Sequence, residues 1–122
     1  MTSEPQPFVT DGLLVIRKER RGDAQAICIG GELDLANSET AEREVTAALE
    51  GQPGPVIVDL SRLEFIDSTG IALIVSLLGR PENAGRLSFV PASAAAVNRV
   101  LDLTGLSERL PQAGDGSAAT GA

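Results

Sequence analysis

Asp67-Ser68-Thr69-Gly70 is the stretch of this 122-residue chain whose residue types and spacing suggest chemistry. It lies between two apolar runs, Val56–Leu60 and Ile71–Leu78, where a strand gives way to a helix. Such turns, at the carboxyl ends of strands, are where α/β folds place their sites. A serine there can be a nucleophile, a phosphate ligand, a helix cap or a phosphate acceptor. The nucleophile reading needs G-x-S-x-G and a base. Ile66 stands where the first glycine belongs, and the chain has no histidine. A phosphate-binding loop needs more glycines and a G-K-[ST] ending, which are missing. Two readings survive. In one, Ser68 or Asp67 accepts a hydrogen bond from a free amide of the first helical turn, worth roughly 0.5–2 kcal/mol. In the other, Ser68 is a phosphoacceptor, because a phosphate at a helix N-terminus meets free amides and the positive end of the dipole. Asp67 and the carboxylates of Glu32-Leu33-Asp34 would make that spot strongly anionic. A site of that kind suits a switch for a partner surface and not a catalyst.

Composition narrows the choice further. Net charge is −7, so nucleic acid and anionic membrane surfaces are repelled and a basic partner face is attracted. Without tryptophan or tyrosine, and with three scattered phenylalanines, there is no platform for stacking bases. The lack of histidine removes the commonest metal ligand as well as the commonest base, and no cofactor is expected. Cys28 is the single cysteine. It excludes an intrachain disulfide and reads as a small buried strand residue. The start, MTSEPQPF, lacks the basic and apolar segments of a secretory signal, and no apolar run approaches the roughly 20 residues of a membrane span. A cytoplasmic protein is expected.

The elements that must position the turn follow from periodicity. Residues 1–12 read as a flexible leader. Leu13–Glu19 and Ala24–Gly30 are strands joined through Arg20–Asp23 in a β-hairpin. From Asn37, an N-cap candidate, Ala41, Val45, Ala48 and Leu49 form one helical stripe. Val56–Leu60 is a continuous apolar run, as in a strand buried on both faces. A second helix starts at Ser68. Arg86–Pro91 is a short strand. Residues 93–106 form a third helix, with Ser93 as cap and Gly105 as its left-handed stop. The tail, 111–122, has nothing to bury and reads as disordered. Alternating strands and helices predict an α/β fold: a single domain over 13–110 with a mixed, mostly parallel four- to five-stranded sheet opened by a hairpin, helices packed against it.

Taken together, GGELDLANSETAERE, VIVDLSRLEFIDSTGIALIVSLLGR and AAAVNRVLDLTGLSERL resemble the STAS domain of the bacterial anti-sigma factor antagonists. The likeness runs from about Leu13 to Leu110. It implies a protein that is not an enzyme. Unphosphorylated, it binds an anti-sigma factor that is also a GHKL-type serine kinase holding Mg·ATP, and so releases a sigma factor. Phosphorylation of the serine after the turn aspartate separates the pair, and a serine phosphatase resets it. That serine is Ser68, with Thr69 as second choice. Asp34 matches the carboxylate beside the phosphorylatable serine, and Asp67 the turn aspartate. With Gly70 and Ile71 these form the implied partner-binding set. Ile71 is equally readable as core.

Two departures stand out. Pro81 falls where the family's second helix usually continues, so this helix should stop near Gly79. After SERLP the family usually adds a final helix, but QAGDGSAATGA follows here, so that helix is expected to be missing, the edge strand to be only a few residues long, and the protein to be a monomer or a weak dimer. The alternative within the same fold is a scaffold subunit of a transporter or sensory complex, in which Ser68 is only a cap.

Overall fold

The computed structural model describes residues 8–113. In chain order the elements are β1 (Phe8–Asp11), β2 (Leu14–Arg21), β3 (Ala24–Leu33), α1 (Ser38–Gly51), β4 (Val56–Asp59), β5 (Leu63–Ile66), α2 (Ser68–Gly79), a short 3-10 turn (Pro81–Asn83), β6 (Leu87–Val90) and α3 (Ala95–Leu103). The sheet has six strands in the order β1-β2-β3-β4-β6, and β5 also pairs with β3. β1, β2 and β3 are antiparallel neighbours. β4 and β5 both run parallel to β3, β4 beside its first half and β5 beside its end. They are one strand interrupted at Leu60–Arg62, where Leu63 donates its amide to the Leu60 carbonyl.

The parallel strands step in one direction, β3 to β4 to β6. Right-handed crossovers therefore place α1 and α2 on the same face. Burial agrees. Leu14, Ile16, Ile27, Ile29, Val56, Val58, Leu87 and Phe89 join Val45, Leu49, Leu73, Ile74, Leu77, Val97 and Leu101 of the helices in one core. The side chains that alternate with them, Val15, Arg17, Arg21, Ala26, Cys28 and Asp59 among them, belong to the other face.

Several expectations are corrected. Phe8–Asp11 is a strand and not part of a leader. Asp11 pairs with Leu14 across the two-residue turn Gly12-Leu13, with Gly12 at φ 61°, and a glycine at the first central position is a hairpin signal. Residues 1–7 lie outside the described chain. Leu63–Ile66 is a strand that alternation could not reveal, since Glu64 and Phe65 are both exposed between two buried residues. With β1 it raises the strand number to six. Ser93 does not cap α3; the cap position is Ala94, and no side chain serves it. Gly105 does stand at φ 77° beyond the helix. α2 ends at Gly79 as Pro81 demands. The buried Asn83 of the following 3-10 turn then donates to the Leu77 carbonyl at 2.9 Å, closing the helix end. At the start of the supposed tail, Pro111–Ala113 is held on the edge of β6 by a single parallel bridge between Phe89 and Gln112. The rest of the tail, 114–122, lies outside the described residues.

On the helix-free face, Arg21 joins Asp59 at 2.7 Å and Glu19 at 2.7 Å. Burial raises the Asp59 carboxyl, but hydrogen bonds from Ser61 and the Arg21 guanidinium outweigh it and hold the group below its ordinary value. A depressed native carboxyl contributes stability above its unfolded pKa and loses it as pH falls through the native one. Parent and Asp59→Asn should therefore differ most near neutrality and converge as pH falls below 3.8. Urea melts at pH 7 and pH 3 check this. A stability gap of the same size at both would remove the ionic contribution.

Candidate functional site

The DSTG turn is built around Asp67. Its backbone is extended (φ −104°) and its Oδ1 accepts from the amides of Thr69 at 2.9 Å and Gly70 at 3.0 Å, so Asp67 is the cap of α2. The first helical bond runs from the Ile71 amide to the Asp67 carbonyl. This settles which residue caps. Ser68 is free of that duty, is exposed, and makes no hydrogen bond through its hydroxyl among the described residues.

The second oxygen of Asp67 reaches the loop that follows the neighbouring strand β3. Oδ2 accepts from the Leu35 amide at 3.1 Å, and the Asp67 amide donates to the Leu33 carbonyl at 3.1 Å. Asp34 lies between those two anchors. The fold thus brings the loops that carry Asp34 and Asp67 together at the same end of the sheet. Asp34 turns its Oδ1 onto the Ala36 amide at 3.0 Å, and its carbonyl receives the amides of Asn37 and Ser38. The loop entering α1 is closed by these bonds.

Asn37 occupies the cap position of α1 but caps nothing with its side chain. Buried, it accepts from the Asp34 amide at 2.9 Å and donates to the Glu32 carbonyl at 3.0 Å, with a longer contact to the Asp11 carbonyl at 3.4 Å. It therefore fastens the β1–β2 turn, the end of β3 and the start of α1 together. A buried amide with its hydrogen bonds made is a rigid fixture. Sequence reasoning assigned Asn37 only to a cap, because an N-cap and a loop tie use the same residue types.

The other members of the set sort by depth. Thr69 is half-buried and lines a cavity of about 220 Å³ between α1 and α2 with Ser38, Glu42 and Ser76. Gly70 is buried: a Cβ there would fall 2.6 Å from Ile66 Cγ1 and 3.0 Å from Leu33 Cγ, so only glycine lets α2 start this close to the sheet. Ile71 is half-buried against the core and offers little apolar surface to a partner. Leu35 offers more. It is 75% exposed beside Asp34, and Leu13, 65% exposed, stands at the same end. Lone exposed leucines are common, but these two sit on a platform tied by Asn37 and Asp67. Leu35 was not singled out in the sequence; a leucine in a polar loop directly after Asp34 was the available signal.

The site can present a hydroxyl, two carboxylates and a little apolar surface. Among the described residues no helix is long and apolar enough to cross a membrane.

A family model described as STAS domain matches residues 15–115. Over 98 residues the chain is 26% identical to the anti-sigma-F factor antagonist RsfB of Mycobacterium tuberculosis, covering 80% of this chain and 79% of that protein. Its fold matches an anti-sigma factor antagonist from Mycobacterium paratuberculosis with a TM-score of 0.71, at 22% identity, over 93% of this chain and 91% of that one. It also matches unphosphorylated SpoIIAA with a TM-score of 0.65, at 22% identity, over 85% and 92%. SpoIIAA, from Bacillus, is known in a phosphorylated form too. The chain belongs to the STAS-domain family, and these relatives bear the name of anti-sigma factor antagonists.

Proposed function

We propose that this protein is an anti-sigma factor antagonist whose grip on its partner is set by phosphorylation of Ser68. The observation that carries this reading is the division of labour in the turn. Asp67 caps α2, so the exposed Ser68 hydroxyl is spare. With the hydroxyl free, the face formed by Ser68, Asp34, Asp67 and Leu35 binds an anti-sigma factor and displaces a sigma factor from it. The partner is a serine kinase of the GHKL type, which supplies Mg·ATP. Ser68 Oγ attacks the γ-phosphorus, an O–P bond forms, ADP leaves, and the hydroxyl proton passes to a base on the kinase. The product carries about −1.5 to −2 additional charge next to two carboxylates, on a surface complementary to a neutral hydroxyl. Repulsion and desolvation then separate the pair, and a serine phosphatase restores the hydroxyl. Asp34 and Asp67 act as positioners and as the local negative field. The chain itself catalyses nothing in this scheme, and generic acyl esters should not be turned over.

The test is intact mass after incubation with Mg·ATP and each candidate anti-sigma kinase of the same genome. One added phosphate, mapped to Ser68 and absent from Ser68→Ala, is the expected result. Phosphate mapped to Thr69 would move the switch by one residue. Stable complexes without any phosphate would instead support the scaffold role, with Ser68 an idle helix residue.

A further inference from the structure

The helix-free face of the sheet carries a groove that the switch does not use. Its floor is Cys28, Gly30 and Gly31 of β3, and its walls are Val15 and Arg17 of β2 on one side and Arg62 on the other. The register explains the shape. Val15 lies opposite Gly30 and Arg17 opposite Cys28, so large wall residues face small floor residues. On the far side, the interruption between β4 and β5 throws Arg62 outward while its carbonyl accepts the Gly31 amide at 3.1 Å. A Cβ on Gly30 would come within 3.3 Å of Arg62 Cβ, so a side chain at that position would press against this wall. The resulting space is about 290 Å³, near the lower end of ligand-pocket sizes.

The charge in the groove is unusual for this chain. Net charge is −7, and the neighbouring Arg21 is consumed by Glu19 and Asp59. Arg17 and Arg62, by contrast, have no carboxylate within ion-pair distance among the described residues. Two arginines without an ion-pair partner among the described residues thus line a mostly apolar bed of glycine backbone, valine and a thiol, which suits an anion carrying an apolar tail. Guanidinium groups favour planar carboxylates, which they hold in paired hydrogen bonds. Cys28 contributes surface only: it is buried, and Arg21 Nη2 lies 3.3 Å from its sulfur.

We propose that this groove binds a small amphiphilic carboxylate, its headgroup between Arg17 and Arg62 and its apolar tail along Val15, Cys28 and Gly30. The proposal is independent of the Ser68 switch.

The test is an amide-resolved NMR titration of the full chain with sodium octanoate. The amides of Val15, Gly30 and Gly31 should shift together and saturate, with a dissociation constant of about a millimolar or tighter. Arg17→Gln combined with Arg62→Gln should weaken binding about tenfold or more, with the remaining spectrum unchanged. Hexan-1-ol tests the tail alone, and sodium acetate and inorganic phosphate the charge alone; each should bind much more weakly. Absence of saturable shifts at Gly30 and Gly31 would overturn the proposal. So would unchanged affinity in the double variant, or equal binding by the alcohol or by either small anion.

Discussion

Phosphorylated at Ser68, the protein should bind its anti-sigma partner about 100- to 1000-fold more weakly than the unmodified form. Ser68→Asp should lose about one to two decades, and Ser68→Ala should hold the partner persistently. The magnitudes follow from charge. Two unit charges 4 Å apart interact by roughly 4 kcal/mol in the effective dielectric near a protein surface, and each ~1.4 kcal/mol is a decade of affinity. A phosphoryl group brings nearly two charges to a turn that already holds Asp67 and lies beside Asp34. Aspartate brings one, on a shorter stem, hence the smaller loss. Alanine removes a hydroxyl that has no partner among the described residues, so it neither unfolds α2, which Asp67 caps, nor adds charge. Part of the penalty is electrostatic at an exposed site, so the gap should narrow as salt rises toward 1 M. Titration calorimetry with the kinase at low and high salt measures all of this. Parent-like binding by both substituted proteins would eliminate the switch while leaving the fold untouched.

Why the place of Ser68 at the start of α2 was readable from the sequence, and those of Leu35 and Arg62 were not, is a matter of range. The start of α2, its stop before Pro81 and the buried β4 are local: a cap residue, a missing amide and a run of β-branched side chains decide them. The family motifs then located Asp34 beside the turn, although nothing local relates two residues so far apart. The joining bonds, Leu35 amide to Asp67 Oδ2 and Asp67 amide to Leu33 carbonyl, exist only once β3 and β5 are paired. β5 itself was illegible because its exposed pair, Glu64 and Phe65, breaks the two-residue period. The groove was hidden for the same reason, since its walls come from β2 and from the β4–β5 interruption. Asn37 shows the opposite failure. Its residue type signalled a cap, but the competing loop carbonyls and amides captured the side chain. In Ser68 the local signal was ambiguous between cap and free hydroxyl, and the neighbouring carboxylate decided it.

The largest stability loss from one methyl group is expected at Gly31. It stands at φ +81°, and a Cβ there would lie 1.9 Å from the Leu13 carbonyl oxygen and 3.1 Å from its carbon. That oxygen is not free to retreat, because it accepts the Glu32 amide at 3.1 Å. The pairing of β3 with β5 also shifts register between Gly31 and Glu32, so this glycine is where β3 bends to bring Leu33 to the start of α2. Gly31→Ala therefore combines left-handed strain of roughly 1–2 kcal/mol with a backbone clash and a lost ladder bond. The sum is about 3–5 kcal/mol, a large part of the 5–15 kcal/mol that domains usually have. Gly12 is the control. It too has positive φ, +61°, but nothing lies within 4 Å of a Cβ there. Gly12→Ala should cost only the strain, so urea melts of the two variants should separate by 2 kcal/mol or more on these estimates. Equal losses would mean that the strand pair opens to admit the methyl group. The contact between the β1–β2 turn and the end of β3 would then be too soft to hold Asp34 and Asp67 in place beside Ser68.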